Sequence, residues 1–156
     1  MFKSAWESLK SYRDEYADAS SIPDDKVPAS FDLRNIGGQD FTGGVRDQGG
    51  CGSCYSFSFL QVIESRVRQV YGKQVEKLSP QQLLSCNYMT EGCEGGWAVF
   101  NGFLAENTHL VAESCAPYEE KFNIKKMKPC GNFGSCPGIA RVKKTYKLEN
   151  PTEKAI

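Results

Sequence analysis

The sequence predicts an α+β chain, mainly helical, built around one long central helix and joined by irregular loops that disulfides hold. Three observations lead there. An apolar period runs from Ser53 to a glycine stop at Gly72, two further helix starts follow it, and seven cysteines are spread over 156 residues. Strand signal is confined to Ile139–Leu148, where Val142, Tyr146 and Leu148 fall on one side.

The central helix comes first. Ser53 is a suitable N-cap, Phe57, Leu60, Ile63, Val67 and Val70 mark one apolar face, and Gly72 stops the run. Ser79-Pro80-Gln81-Gln82 then places a capping serine, an N1 proline and a capping-box glutamine ahead of Leu83 and Leu84. A third helix follows Gly95-Gly96, with Trp97, Phe100, Phe103 and Leu104 on one face. Thr108 to Gly138 reads as loop and carries three cysteines.

Residues 1–26 read as a separate arm or prosegment remnant: Phe2, Trp6, Leu9, Tyr12 and Tyr16 recur at helical spacing before the breaker-rich Ser20–Asp25. Residues 27–156 form the main domain. At the other end, Asn150-Pro151-Thr152-Glu153 starts a helix that Ile156 leaves at one turn, too short to stand alone, so the domain is expected to be incomplete there.

Composition excludes several classes. Nineteen basic residues balance nineteen acidic ones, which gives no field for nucleic acid or an anionic membrane surface, and no apolar run has the length of a membrane span or the form of a leader. The high cysteine count points to an oxidising compartment, and its odd number leaves a thiol over when the rest pair. No open Asn-x-Ser/Thr acceptor occurs, since Asn150-Pro151-Thr152 is blocked by its proline.

The chemistry is concentrated in Gln48-Gly49-Gly50-Cys51-Gly52-Ser53-Cys54-Tyr55. Cys54 falls on the first turn of the central helix, where backbone N–H groups and the helix dipole favour a thiolate nucleophile. Gln48 lies upstream across a glycine-rich bend that lets its amide fold back toward the sulfur and, with the Cys54 N–H, hold an oxyanion. Three plainer readings stand beside this one. Cys51-Gly52-Ser53-Cys54 has the form of a redox dithiol, but no βαβ pattern surrounds it. Zinc held by Cys51, Cys54, Cys130 and Cys136 lacks a second close pair, so no metal is expected. The glycine-rich 43–50 segment lacks the lysine of a phosphate loop.

These residues resemble the papain-like cysteine proteases, and within that family the dipeptidyl peptidase I (cathepsin C) branch. Val27-Pro28-Ala29-Ser30-Phe31-Asp32-Leu33-Arg34 is similar to the family's mature amino terminus, and Cys51-Gly52-Ser53-Cys54-Tyr55 to its nucleophile motif. Most members have tryptophan at the Tyr55 position; tyrosine followed by Ser56-Phe57 is the cathepsin C form. Leu78–Cys86, Gly92-Cys93-Glu94-Gly95-Gly96 and Cys115-Ala116-Pro117-Tyr118 match further on, in the right order.

The resemblance implies a papain-like fold reduced to its helical left lobe, with the right-lobe β-barrel largely missing. It makes Cys54 the nucleophile and Gln48 the oxyanion donor, and it places Gly52, Ser53, Gly95, Gly96, Trp97 and Ala98 along the substrate. By the same analogy Cys51 pairs with Cys93, Cys86 with Cys130 and Cys115 with Cys136. It implies no cofactor, with chloride entering only through the cathepsin C branch. It also implies a peptide or protein substrate and a lysosomal or extracellular location.

The departures are equally specific. The family's histidine and asparagine lie about 130–150 residues beyond the nucleophile, and the sequence ends at Ile156, short of that. Its one histidine, His109, aligns with an ordinary loop. Two functions of different class follow. In one, the chain is the Cys-bearing half of a peptidase and takes histidine and asparagine from a complementary chain or a lost continuation, being inactive alone. In the other it is a catalytically inactive structural or adapter protein. Either way, a lone lobe exposes apolar surface, so association into an oligomer is expected.

Overall fold

A computed structural model describes residues 23–72, 75–121 and 130–145, with the backbone alone at 130–132. These fall into two units. Residues 23–31 hold a single 3-10 turn, Asp24–Lys26, closed by bonds from the Lys26 and Val27 N–H groups to the Pro23 and Asp24 carbonyls. The second unit, Asp32–Thr145, carries the folded core.

Helix α1 spans Cys54–Tyr71 and ends at Gly72, whose φ of 90° only glycine adopts readily. Helix α2 spans Pro80–Cys86, and α3 spans Ala98–Asn107. Both pack against or beside α1 around Leu60, Leu78, Leu83, Ala105 and Leu110, with Phe59, Ile63, Leu104, Ile139 and Val142 closing the edge. Strands β1 (Leu110–Val111) and β2 (Gly138–Ala140) pair antiparallel, Leu110 opposite Ala140 and Val111 opposite Gly138, with an irregular register between them.

The capping serine of α2 works as its sequence suggests: Ser79 Oγ accepts the Gln82 N–H at 3.0 Å. The reciprocal half of the capping box does not form. The Gln82 side chain turns to β1 instead, donating to the His109 carbonyl and accepting the Val111 N–H, while the Ser79 N–H is taken by the Val111 carbonyl. A buried glutamine thus pairs a strand edge where the local pattern indicated a cap.

Three further expectations need correction. The inner face of α1 is not its apolar stripe: Val70 is 72% exposed, and the buried positions are Tyr55, Ser56, Leu60, Glu64, Ser65 and Arg68. The cause is an ion cluster. Glu64, 0% exposed, binds Arg46 and Arg68 at 3.2 and 3.3 Å and accepts the Leu78 N–H at 2.8 Å, which satisfies its charge in a dry interior. The inner face of α3 runs through Phe100, Asn101, Gly102 and Ala105, with Trp97 left 66% exposed. The strand expected over Ile139–Leu148 is β2, earlier and shorter, since its partner β1 offers only two residues. Residues 146–148 lie outside the described residues, as do the arm at 1–22 and the helix start at Asn150.

Candidate active site

The site forms where the glycine-rich segment enters α1. Arg46 anchors that segment: its guanidinium donates to the Leu78 carbonyl, pairs with Glu64 and Glu113, and lies 5.2 Å over the Phe57 ring. The chain then turns at Gly49, with φ of 62° and its N–H held by Asp47 Oδ1, and the Gly50 N–H is taken by Glu120. Cys51 follows, tied to Cys93 by a disulfide.

Cys54 is the first residue of α1, exposed and unpaired, and it is the one free cysteine among the described residues. Ser53 occupies the N-cap position, but its hydroxyl does not cap. It lies 2.6 Å from the Tyr118 hydroxyl, so the N–H groups of Cys54 and Tyr55 have no acceptor among the described residues. Open helix N–H groups beside a thiol form a place where negative charge is stabilised.

The Gln48 carboxamide donates to the Cys51 carbonyl at 3.0 Å, which keeps it folded back over the nucleophile loop; its second N–H has no partner among the described residues. Gly52 donates to the Cys93 carbonyl at 2.8 Å, and a β-carbon at Gly52 would strike that same oxygen. Ser53 is fully buried and its N–H is bonded to Cys51, so its polar groups serve the protein rather than open toward solvent.

Across this link lies Gly92–Ala98. The Gly95 carbonyl accepts the Glu91 N–H and its φ is 127°, while Gly96 is exposed with no backbone partner among the described residues. Gly96 sits over Thr90 and Tyr55, with 2.9 Å and 3.1 Å left for a side chain that is not there. Trp97 is exposed beside it and Ala98 half-buried. His109 stands apart at the entry to β1, its side chain against Gly138.

Two tyrosines missed by sequence reasoning as structural parts of the site hold it together. The buried Tyr55 hydroxyl donates to the Gly92 carbonyl at 3.0 Å and contacts Thr90 Oγ1, and Asn101 bonds the Tyr55 carbonyl. Burial pushes its phenol above the ordinary value of 10.0, against the bond from Thr90. The Tyr118 hydroxyl donates to the Gln48 carbonyl at 2.8 Å, and burial likewise raises its phenol. The nearest available signal was Cys115-Ala116-Pro117-Tyr118, a motif whose target in space the sequence does not name.

A second disulfide joins Cys115 to Cys136. Cys86 is disulfide-bonded too; the side chain of Cys130, its expected partner, lies outside the described residues. Among the described residues no group of three or more His, Cys, Asp or Glu could hold a metal ion, and no helix is long and apolar enough to cross a membrane.

Residues 27–156 match the model of the papain family of cysteine proteases, and the chain belongs to that family. It is 39% identical over 110 residues to "Cysteine proteinase B" of Leishmania mexicana, covering 69% of this chain and 23% of that protein. The fold is similar to that of a Carica candamarcensis cysteine protease in complex with E-64, with TM-score 0.59, 31% identity, and coverage of 75% of this chain and 50% of that one. Bromelain from Ananas comosus gives TM-score 0.60 at 29% identity, with the same coverage. The papain-like fold seen here is therefore its mainly helical part, and the chain spans about a quarter of the curated relatives it matches.

Proposed function

We propose that this chain carries the nucleophile half of a cysteine peptidase site. Cys54 attacks the carbonyl carbon of a peptide, the carbonyl electron pair moves to oxygen, and the oxyanion is met by the Cys54 N–H and the free N–H of Gln48. An imidazole takes the thiol proton as sulfur attacks; when the oxyanion reforms the carbonyl and the C–N bond breaks, the imidazole passes that proton to the leaving amine. Water then releases the acyl group as acid and regenerates the thiol. The imidazole and its orienting asparagine come from outside these 156 residues, on a complementary chain or a continuation, because His109 is placed at β1 against Gly138. By itself the chain is inactive. The whole protein cuts peptides in a lysosomal or extracellular setting, in keeping with its disulfides.

The observation that carries this reading is the exposed free cysteine Cys54, the one such among the described residues, at the uncapped start of α1. The support for the cathepsin C branch is the sequence alone, tyrosine at position 55 where most members have tryptophan. Gly96, Trp97 and Ala98 edge the substrate, Gly96 with a backbone that has no partner among the described residues and Trp97 with its exposed side chain. Gly95 shapes the turn before them.

Intact mass after brief epoxide or iodoacetamide labelling, with and without reduction, tests the reading. Fast modification at Cys54 alone, the other cysteines protected until reduced, is expected. Slow labelling at the rate of an ordinary exposed thiol would turn the assignment to a papain-like structural protein without chemistry.

A further inference from the structure

Gln48 sits in a segment with little stiffness of its own. Gly49 and Gly50 follow it, Gly49 in a left-handed conformation, so the backbone that aims the Gln48 amide must be braced from elsewhere. The brace is the chain at 118–121. The Tyr118 hydroxyl donates its one proton to the Gln48 carbonyl, 70 residues away, so at 2.6 Å Ser53 Oγ is the donor to Tyr118 in preference to the Cys51 carbonyl at 3.5 Å. One phenol oxygen thereby links the residue that aims the amide to the residue that precedes Cys54.

The brace is itself fixed. The Tyr118 ring meets Phe57 of α1 edge-on, with centroids 5.0 Å apart and planes at 86°. Buried Gln81 of α2 accepts the Glu119 N–H at 2.9 Å and donates to the Lys121 carbonyl at 3.3 Å, and Glu120 takes the Gly50 N–H. Among the described residues the Tyr118 hydroxyl has no other hydrogen-bond partner.

We infer that Tyr118 is a positioning residue for the acyl transfer: through the Gln48 carbonyl and the Ser53 hydroxyl it holds the Gln48 amide in register with Cys54. The inference rests on the peptidase reading above. It predicts a selective defect, because only reactions that develop an oxyanion need Gln48 in place.

The experiment compares wild type, Tyr118→Phe, Gln48→Ala and the double variant, in the natural protein with every chain it carries. Two probes are used. A peptide aldehyde adds to Cys54 by converting its carbonyl to an oxygen that needs the Gln48 donor, whereas iodoacetamide alkylates the thiol by displacing iodide and forms no oxyanion. Tyr118→Phe should weaken aldehyde binding about tenfold and change the iodoacetamide rate by less than about twofold. In the Gln48→Ala background the same change should add nothing further.

Unchanged aldehyde binding in Tyr118→Phe, with Gln48→Ala weakened, overturns the inference and spares the peptidase reading. So does a Tyr118→Phe effect that persists in full when Gln48 is absent. If Gln48→Ala binds aldehyde like wild type, the oxyanion assignment of Gln48 fails first and the inference falls with it. Should Tyr118→Phe lose its native circular dichroism, Ser53→Ala replaces it, deleting the 2.6 Å bond to Tyr118 together with the longer 3.5 Å contact to the Cys51 carbonyl. The same aldehyde-selective loss then supports the inference, and equal loss with both probes overturns it.

Discussion

Arg46 reaches Glu64 at 3.2 Å, Nη2 to Oε1, from eighteen residues upstream, and both side chains are almost wholly out of solvent. With Arg68 and the Leu78 N–H they make a carboxylate with a partner on each side, so the cluster holds the entry segment, α1 and the approach to α2 together. Removing one member strands the others. Glu64→Gln is expected to destabilise the fold by about 3–5 kcal/mol, since buried Arg68 loses its counter-charge and Arg46 keeps only Glu113. Chemical denaturation should show the midpoint falling with an unchanged slope.

Gly43 packs against the same cluster. A β-carbon there would lie 2.6 Å from Glu64 Oε2, which Arg68 Nη2 holds in place, and 2.9 Å from Arg68 Nη1. Gly43→Ala should therefore cost about 1–3 kcal/mol by overpacking, although alanine normally favours a folded chain over glycine. Thermal melts of the two proteins side by side decide it; an alanine variant as stable as wild type would mean the cluster yields.

Burial raises the phenols of Tyr55 and Tyr118 above 10.0. A group whose folded value lies above its unfolded one gives stability that is complete below the unfolded value and is lost as pH rises through the folded value. Alkaline titration followed at the phenolate band should show two late-ionising tyrosines, with unfolding setting in above pH ~10 rather than below it. Tyr55→Phe should remove one late step and cost about 1–2 kcal/mol, as the Gly92 carbonyl loses its donor.

Gln82 spans helix and strand by donating to the His109 carbonyl and accepting the Val111 N–H. Gln82→Ala leaves the buried Val111 N–H of β1 and the part-buried His109 carbonyl beside it without their side-chain partner, and a loss of about 1–3 kcal/mol follows from that. Amide exchange should report it first at Val111, ahead of global unfolding.

Much of this architecture was legible. The ends of α1 could be read because Ser53 and Gly72 are local signals, and the start of α2 because Ser79 and Pro80 act on their own turn. The place of Cys54 on the first turn of α1 was legible because a motif of adjacent residues carries it. What escaped was decided by partners far along the chain. Periodicity assigns the inside of a helix to apolar residues, and it cannot foresee that Arg46 will make Glu64 and Arg68 the buried side. Local pattern gave Ser53 and Gln82 capping roles, whereas Tyr118 claims one side chain and β1 the other. Gly95 and Gly96 looked equivalent in sequence; among the described residues Glu91 and Gly92 take the backbone of Gly95 and none takes that of Gly96.

The link between Gly52 and Cys93 doubles the Cys51–Cys93 disulfide with a 2.8 Å backbone bond on the adjoining residue. Two neighbouring ties resist twisting as well as stretching. The turn bearing Cys54 and the turn bearing Gly96 are thereby coupled like two jaws machined from one block, so a thermal displacement of one carries the other with it. A peptide gripped at the second jaw would keep its distance from the sulfur even while the whole surface breathes.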